Sequence, residues 1–439
     1  MLMYDILLRK RNGLALSKAE IDFFVEGAVS GRIPDYQIAA MLMAIAIRGM
    51  EGDEVRDLTL SMMASGEVAD LSGIPGIKVD KHSTGGVGDK TSMMATPIAA
   101  ACGIPVAKMT GKGMGHACGT MDKLDAIPGM RTAIEPAEFI ENVKAVGISI
   151  VGQTGGFVPA DKIFYALRDV TATIDSMPLI ASSIMSKKLA AGADRILLDV
   201  KTGSGSFVGG LEHARELARV MVGIGAGAGR RTHAIITDMD KPLGTHIGNG
   251  LETIEALEVL KGRGGEELTD FAVYVAARML ELADEGPFED CLARARAKLD
   301  DGSALEKFRA MVVRQGGDPR ALDDYSLLSS PKTVKEVRAP ETGYIGAIDT
   351  RRVGMAALAL GAGRQTKEAP IDYAAGIVME KTRGDFVAAG DVVATLHTNR
   401  GTEEIGVAER AFTGALRFTE EKPEEIPLVY DFIKNGTKK

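Results

Sequence analysis

Tryptophan is absent from this 439-residue sequence, and aromatic residues make up only 5% of it. The interior must therefore be filled mainly by Ala, Val, Ile, Leu and Met. Cysteine is scarce. Cys102, Cys118 and Cys291 are odd in number and widely spaced, which excludes a disulfide framework and fits a reducing cytoplasm. Positive charge is also short: 52 Lys and Arg stand against 60 Asp and Glu, a net charge of −8. A dedicated nucleic-acid binder needs a basic surface, so that class is set aside. An anionic small ligand stays open, because a pocket can be locally basic on an acidic protein. No apolar run reaches the ~20 residues that span a bilayer, and the weakly polar stretch 95–107 is broken by Pro97, Gly103 and Pro105. The first residues have neither a basic lead-in nor a small-residue cleavage site, so no signal peptide is expected. These absences predict a soluble, cytoplasmic protein with no membrane or nucleic-acid partner.

What is present points to several domains, since the chain is longer than one core usually organises. Residues 1–70 read as helices. Ser17 followed by Glu20 forms a capping box. Asp35 is expected to cap a helix with Ile38, Met41, Leu42 and Ile45 on one face, and Asp53 to open another that stops at Gly66. From Ile74 short β-type runs alternate with Gly-rich loops and helices: 77–79, 148–151, 196–200 and 234–237. That alternation predicts an α/β fold with a mixed, mostly parallel sheet over 74–155 plus 195–334. A helical stretch at 161–192 is expected to pack back on residues 1–70 as a small helical lobe. From 335 to 439, Gly384-Asp385 and Gly390-Asp391 punctuate short apolar strands, which reads as a C-terminal β-rich domain.

The densest chemical signal is Asp80-Lys81-His82-Ser83-Thr84-Gly85-Gly86-Val87-Gly88-Asp89-Lys90-Thr91-Ser92, placed between a short strand and a helix starting near Thr91. Glycines let backbone N–H groups converge on an anion, the helix N-terminus favours negative charge, and Lys and hydroxyls complete a cradle. The spacing matches neither a P-loop nor a dinucleotide fingerprint. A plain strand-to-helix turn would need one or two glycines, without Lys, His, Ser and Thr crowded around three of them. A second loop, Lys108 to Thr120, has the same composition one strand–helix unit later, as expected if both face one ligand. Its His116 and Cys118 do not make a metal site by themselves, and His116 reads as a loop stabiliser. Ser183 and Lys187 are four apart and share a helix face. With Arg168 they offer a neutral donor/acceptor and two cations, a set that suits a flat ligand with carbonyl oxygens and an imide N–H. An ordinary solvated helix face explains these three residues equally well. The loops 152–156 and 201–207 lie near strand ends and are expected to line the same cleft.

The strings KHSTGGVGDKTS, TGKGMGHACGT, GQTGGFVPADK, RDVTATIDSMPLIASSIMSKK and DVKTGSGSF, in this order, resemble the pyrimidine-nucleoside and thymidine phosphorylase family. The resemblance implies a helical lobe, an α/β lobe and a C-terminal domain of α/β-hammerhead type, assembled as a homodimer. It implies phosphate binding by Lys81, Ser83, Ser92, Lys108, Thr110 and Thr120, and binding of the pyrimidine by Arg168, Ser183 and Lys187. His82 falls beside the base O2, and His82, Arg168 and Lys187 are the implied catalytic residues. It also implies a monovalent cation, K+, held by backbone carbonyls of Gly88, Lys90, Leu243 and His246 and by the Glu255 carboxylate. No organic cofactor is implied. This chain departs from the family pattern at His246, where a small residue is expected, at Lys112 in place of arginine, and at Ala117-Cys118 in place of Thr-Gly. Lys108 stands where the thymidine-restricted branch carries Met, which favours acceptance of ribose as well as deoxyribose.

The implied reaction, in pyrimidine salvage, is attack of inorganic phosphate on C1′ of uridine, deoxyuridine or thymidine, releasing free base and (deoxy)ribose 1-phosphate. A protonated His82, Arg168 and Lys187 would stabilise the departing pyrimidine anion, with Ser183 reading N3. The rival readings are a thymidine-restricted phosphorylase, an anthranilate phosphoribosyltransferase-like enzyme requiring Mg²⁺, and a non-catalytic phosphate or nucleotide sensor.

Overall fold

The computed structural model describes residues 1–113, 115–152, 156–364 and 369–434. Helices Met3–Arg11, Lys18–Val29, Asp35–Arg48 and Gly52–Ala64 build the N-terminal bundle. The expected capping box is present: Ser17 Oγ accepts the Glu20 N–H and the Glu20 carboxylate accepts the Ser17 N–H. Two helix starts differ from expectation. Asp35 is the first helical residue, behind Pro34, and its side chain makes no cap. The next helix opens at Gly52, because Glu54 reaches back 2.9 Å to the N–H of Glu51. Glu54 also accepts the Leu16 N–H at 2.8 Å and pairs with buried Lys10, also at 2.8 Å, so its position is set largely by partners that are distant in sequence. Ile38, Met41, Leu42 and Ile45 are buried on one face, as their spacing predicts.

Helices Pro159–Arg168 and Met177–Ala190 return to this bundle. Phe164 stacks on Phe24 with ring centroids 5.0 Å apart. The Met177–Ala190 helix faces two ways, since Ala181, Met185 and Leu189 join a buried cluster with Val55 of the bundle and Ile196, Leu198 and Val200 of the sheet.

The α/β portion carries parallel strands β1 (Val79–Ser83), β2 (Val106–Thr110), β3 (Ile148–Gly152), β4 (Arg195–Thr202) and β5 (Arg231–Asp238). β1, β4 and β5 are hydrogen-bonded neighbours, while β2 and β3 form a separate pair. β1 and β2 run side by side, and the Val79 N–H donates to Pro105 O at 3.3 Å. Along the rest of their length side chains cross this seam. The first strand differs from expectation: it begins at Val79 instead of Ile77 and carries Asp80-Lys81-His82-Ser83, which had read as loop. A charged run forms an interior strand here because each buried charge meets an opposite one across the seam or the sheet.

The C-terminal region adds β6 (His246–Ile247), β7 (Thr333–Arg338), β8 (Gly343–Ile348), β9 (Gly376–Met379), β10 (Phe386–Val387), β11 (Val392–Thr398), β12 (Leu416–Thr419) and β13 (Val429–Ile433). One antiparallel sheet has the order β6-β9-β11-β7 and another β10-β8-β12. β6 thus leaves the α/β portion to pair with β9. Conversely, β13 lies antiparallel beside β5 in the main sheet, although it belongs to the segment 335–439. These two exchanges tie the C-terminal region to the α/β portion, and antiparallel β13 makes the main sheet mixed.

Gly192 ends the Met177–Ala190 helix and turns the chain toward β4. Its φ is +82°, and a Cβ there would collide with the Ala69 carbonyl. Gly192→Ala is expected to cost about 2–4 kcal/mol, the left-handed penalty plus local overpacking, read as a lowered urea midpoint.

Candidate active site

At the β1–β2 seam, β1 brings Asp80 and Lys81, β2 brings Lys108, β4 brings Asp199 and Lys201, and the Met177–Ala190 helix brings Lys188. All six are nearly inaccessible to solvent. Asp199 Oδ2 lies 2.9 Å from the ammonium groups of both Lys81 and Lys201, and its Oδ1 accepts the Thr237 hydroxyl at 2.7 Å. Asp80 receives Lys188 at 2.8 Å and Lys108 at 3.6 Å. Lys188 also donates to Met109 O at 2.7 Å, and Lys108 donates to Lys81 O. Asp80 Oδ1, Asp199 Oδ2 and the ammonium groups of Lys81 and Lys201 are buried and make no hydrogen bond to the described residues, so this part of the seam is held by near balance of charge. Burial drives the Lys108 ammonium down to about 7; nearby Asp80 opposes this, while Lys188 and Lys81 assist.

His82 follows Lys81 on β1 and is partly accessible. Burial and the charges of Lys188, Lys108, Lys187 and Lys81 hold its imidazole well below the ordinary histidine range. Desolvation and four ammonium groups therefore disfavour the proton that His82 would need to meet the departing base as a cation.

The Ser183–Lys187 spacing works as expected, with Lys187 Nζ donating to Ser183 Oγ at 2.9 Å. Lys187 also pairs with Asp161 at 2.6 Å, a residue that sequence reasoning did not single out. Arg168 is 3% exposed and binds its own connection, donating to Thr173 O at 3.3 Å, Ile174 O at 2.7 Å and Leu179 O at 3.1 Å. A guanidinium has five N–H donors, and three of those of Arg168 are spent on these carbonyls. Lys187 acts electrostatically on His82, and Asp161 on Arg168, so the helical set and the end of β1 form one electrostatic neighbourhood.

The Gly-rich segment runs from Ser83, whose Oγ accepts the Gly85 N–H at 3.1 Å, to the Thr91–Ala101 helix. Gly85 has φ +96° and sits against the Phe207 ring. Burial alone would raise the Asp89 carboxyl, but Lys201, Lys81 and Lys123 hold it well below the usual carboxylate range. Ser83, Thr110 and Thr120 are partly accessible, whereas Ser92 is buried. Lys81 and Lys108, implied as phosphate ligands, instead have their ammonium groups in the buried seam. His116 is a loop stabiliser as predicted: its Nε2 is 3.1 Å from Gly205 O and its ring lies 4.6 Å from that of Phe207. The 201–207 loop reaches the glycines through Phe207. Its Ser204 bonds Asp240, Ile348 and Thr350, which directs that part toward the C-terminal region. Of the 152–156 loop, Gln153, Thr154 and Gly155 lie outside the described residues, as does Met114 of the second Gly-rich loop.

The five residues implied as cation ligands come together around Lys90. Its ammonium donates to Leu243 O and His246 O, each at 2.9 Å, and to the Glu255 carboxylate. The Lys90 N–H donates to Gly88 O, and the Lys90 carbonyl accepts the Met93 N–H, both at 2.9 Å. Every oxygen of the expected set is thus engaged by the chain itself, so the residues present do not fit a free K+ ion.

Asp161, Lys188 and Asp199 were the functional neighbours missed. Asp199 carried a readable signal, an acid in the middle of the buried run Ile196–Val200. Asp161 and Lys188 carried none, since charges on helices are ordinarily solvated.

Residues 4–66 match the glycosyl transferase family helical bundle domain, and residues 76–305 the a/b domain of the same family. This makes the chain a glycosyltransferase built from those two domains. Residues 344–414 match the pyrimidine nucleoside phosphorylase C-terminal domain. The pyrimidine-nucleoside phosphorylase of Geobacillus stearothermophilus is 48% identical, covering 99% of this chain and 100% of the relative. That of Bacillus subtilis (strain 168) is 50% identical, covering 91% and 93%. Among solved structures, anthranilate phosphoribosyltransferase from Thermus thermophilus superimposes with a TM-score of 0.59 at 19% identity. It covers 70% of this chain and 98% of its own, a likeness of fold alone. The chain belongs to the pyrimidine-nucleoside phosphorylase family.

Lys108 makes stability depend on pH with a definite sign. Between pH 7 and its ordinary 10.5 the unfolded chain binds the proton and the folded chain does not. Raising pH through this window therefore adds stability, by up to about 1.4 kcal/mol per unit. In Lys108→Met this increment should vanish, as urea midpoints measured from neutral to alkaline pH would show.

Proposed function

We propose that this chain catalyses phosphorolysis of uridine, deoxyuridine and thymidine by inorganic phosphate, releasing free base and (deoxy)ribose 1-phosphate in pyrimidine salvage. The observation that carries the reading is the placement of Lys187, bonded to Ser183 and paired with Asp161, within electrostatic reach of His82, where the Gly-rich segment leaves β1. Relatives named pyrimidine-nucleoside phosphorylase, alike over the whole chain, support it.

Phosphate is met by the partly accessible hydroxyls of Ser83, Thr110 and Thr120 and by backbone N–H groups at the helix start. Lys81 and Lys108 supply positive charge from the seam behind them. An anion bound there favours the protonated form of Lys108 and so takes up a proton near neutral pH. On the base side, Lys187 and the remaining N–H groups of Arg168 face carbonyl oxygens, and Ser183 reads N3. The pyrimidine is a poor leaving group, so donors aimed at its carbonyls act on charge that appears only in the transition state. Neutral His82 contributes an N–H instead of a full charge. Lys108, in place of the Met of the thymidine-restricted branch, supports acceptance of ribose.

The same proposal includes cytoplasmic location and a homodimer. Tyr36 and Ile47 are 74% and 70% exposed and eleven residues apart on one helix face, and the helix packed beside theirs carries exposed Tyr4. Such an apolar patch suits a second copy of the chain, and light scattering of the purified protein tests it.

The reaction is tested by release of uracil from uridine with and without phosphate, in Mg²⁺-free buffer. Phosphate-dependent release is expected. A phosphoribosyltransferase would be silent without Mg²⁺, and a sensor would bind ligand without releasing base. Lys187→Gln should lower kcat by about 10²–10³, and unchanged turnover would remove Lys187 from the mechanism.

A further inference from the structure

We infer that Lys90 is a tethered replacement for a monovalent cation, so this chain needs no K+ to hold its Gly-rich segment in place. An ammonium has three N–H donors. Lys90 Nζ meets three acceptors: Leu243 O, His246 O and the Glu255 carboxylate. Lys90 is 1% exposed and Glu255 is 7% exposed, so a single buried positive charge neutralises a single buried negative one, with no donor left over.

The surrounding geometry is that of an ion cage closed from within. Glu255 Oε1 accepts the Thr245 N–H at 2.7 Å and the Thr245 hydroxyl at 3.0 Å, and Oε2 also accepts the His246 N–H at 3.1 Å. The backbone at Gly88 (φ +75°) and Gly244 (φ +75°) is drawn in so tightly that a Cβ at Gly88 would press on Leu243 O and one at Gly244 on the Glu255 carboxylate. Converging carbonyls with one carboxylate form a hard-oxygen donor set. Here a side-chain ammonium, fixed covalently to the loop it stabilises, sits at the focus. An ammonium on the chain carries no cost of capturing an ion from solution, so occupancy does not depend on salt.

The position gives the charge a task. Lys90 is the residue before the Thr91–Ala101 helix, which carries Ser92 in its first turn. His246 begins β6, which pairs with β9 of the C-terminal sheet. The Lys90 ammonium therefore fastens the end of the Gly-rich segment to the strand linking the α/β sheet to the C-terminal region. Lys90 is a positioning residue, and its effect on catalysis passes through the backbone around Gly88 and Ser92.

The test compares full-length wild type, Lys90→Ser and Lys90→Met in the chlorides of potassium, sodium and tetramethylammonium, reading both Tm and the KM for phosphate. Wild type should keep the same Tm within about 1 °C in all three salts. Lys90→Ser opens the cage and leaves Glu255 unpaired, so its Tm should fall by at least about 5 °C in tetramethylammonium. Its phosphate KM should rise roughly tenfold or more as the loop loses its anchor, and potassium should restore both. Lys90→Met fills the same space without charge and should be destabilised in every salt. A wild-type Tm raised by potassium over tetramethylammonium would overturn the inference, and that arm needs no variant to fold. So would a Lys90→Ser protein whose Tm is unchanged in all three salts. The Tm arm does not depend on the proposed reaction, so failure of that reaction and failure of the tether are separately visible.

Discussion

Asp80 and Asp199 sit almost without solvent contact where the main sheet meets the β2–β3 pair, and four lysine ammonium groups converge on them. The rest of the site depends on this arrangement. Two isolated buried carboxylates would be too costly to keep ionised, and four isolated ammonium groups more so. Together, and with Asp89 close by, Lys81, Lys108, Lys188 and Lys201 leave a slight excess of positive charge at the mouth of the Gly-rich segment. An acidic protein thereby maintains a locally basic pocket. The same excess helps to keep His82 neutral and weakens the hold of Lys108 on its proton.

The seam also explains how the helical bundle is held against the sheet. Lys188 reaches Asp80 and Met109 O from the Met177–Ala190 helix, one residue beyond Lys187, which turns toward Ser183 and Asp161. Adjacent residues on a helix point about 100° apart, so one helix can anchor in the sheet and present a ligand-facing cation at once. The apolar side of that helix continues into the cluster shared by Val55 and the β4 residues.

Local pattern carried much of the architecture. The Ser17 capping box, the buried face of Asp35–Arg48, the strands near 148, 196 and 234 and the helix at Thr91 follow from periodicity and capping, which act over a few residues. The pattern misled at β1, where Asp80-Lys81-His82-Ser83 reads as loop because the partners that make it a strand arrive from β2, β4 and a helix about a hundred residues later. The same reason hid Asp161 and Lys188. Ser183 and Lys187 were legible because their contact is one helical turn long, and the Gly-rich segments because conformational freedom and anion chemistry are both written in residue type.

Thus the family and its glycine-rich loops, the Ser17 helix cap and the chemical character of the ligand pocket are properties of the sequence by itself. Which lysines face an opening and which are spent on buried carboxylates was decided only in three dimensions. So was the weakened hold of His82 on a proton, since desolvation and the charges of Lys188, Lys108, Lys187 and Lys81 set it. Lys90 shows the division most clearly. From sequence it contributes a backbone carbonyl to an ion, whereas in the fold its own ammonium stands at the centre of the oxygens that would have bound one.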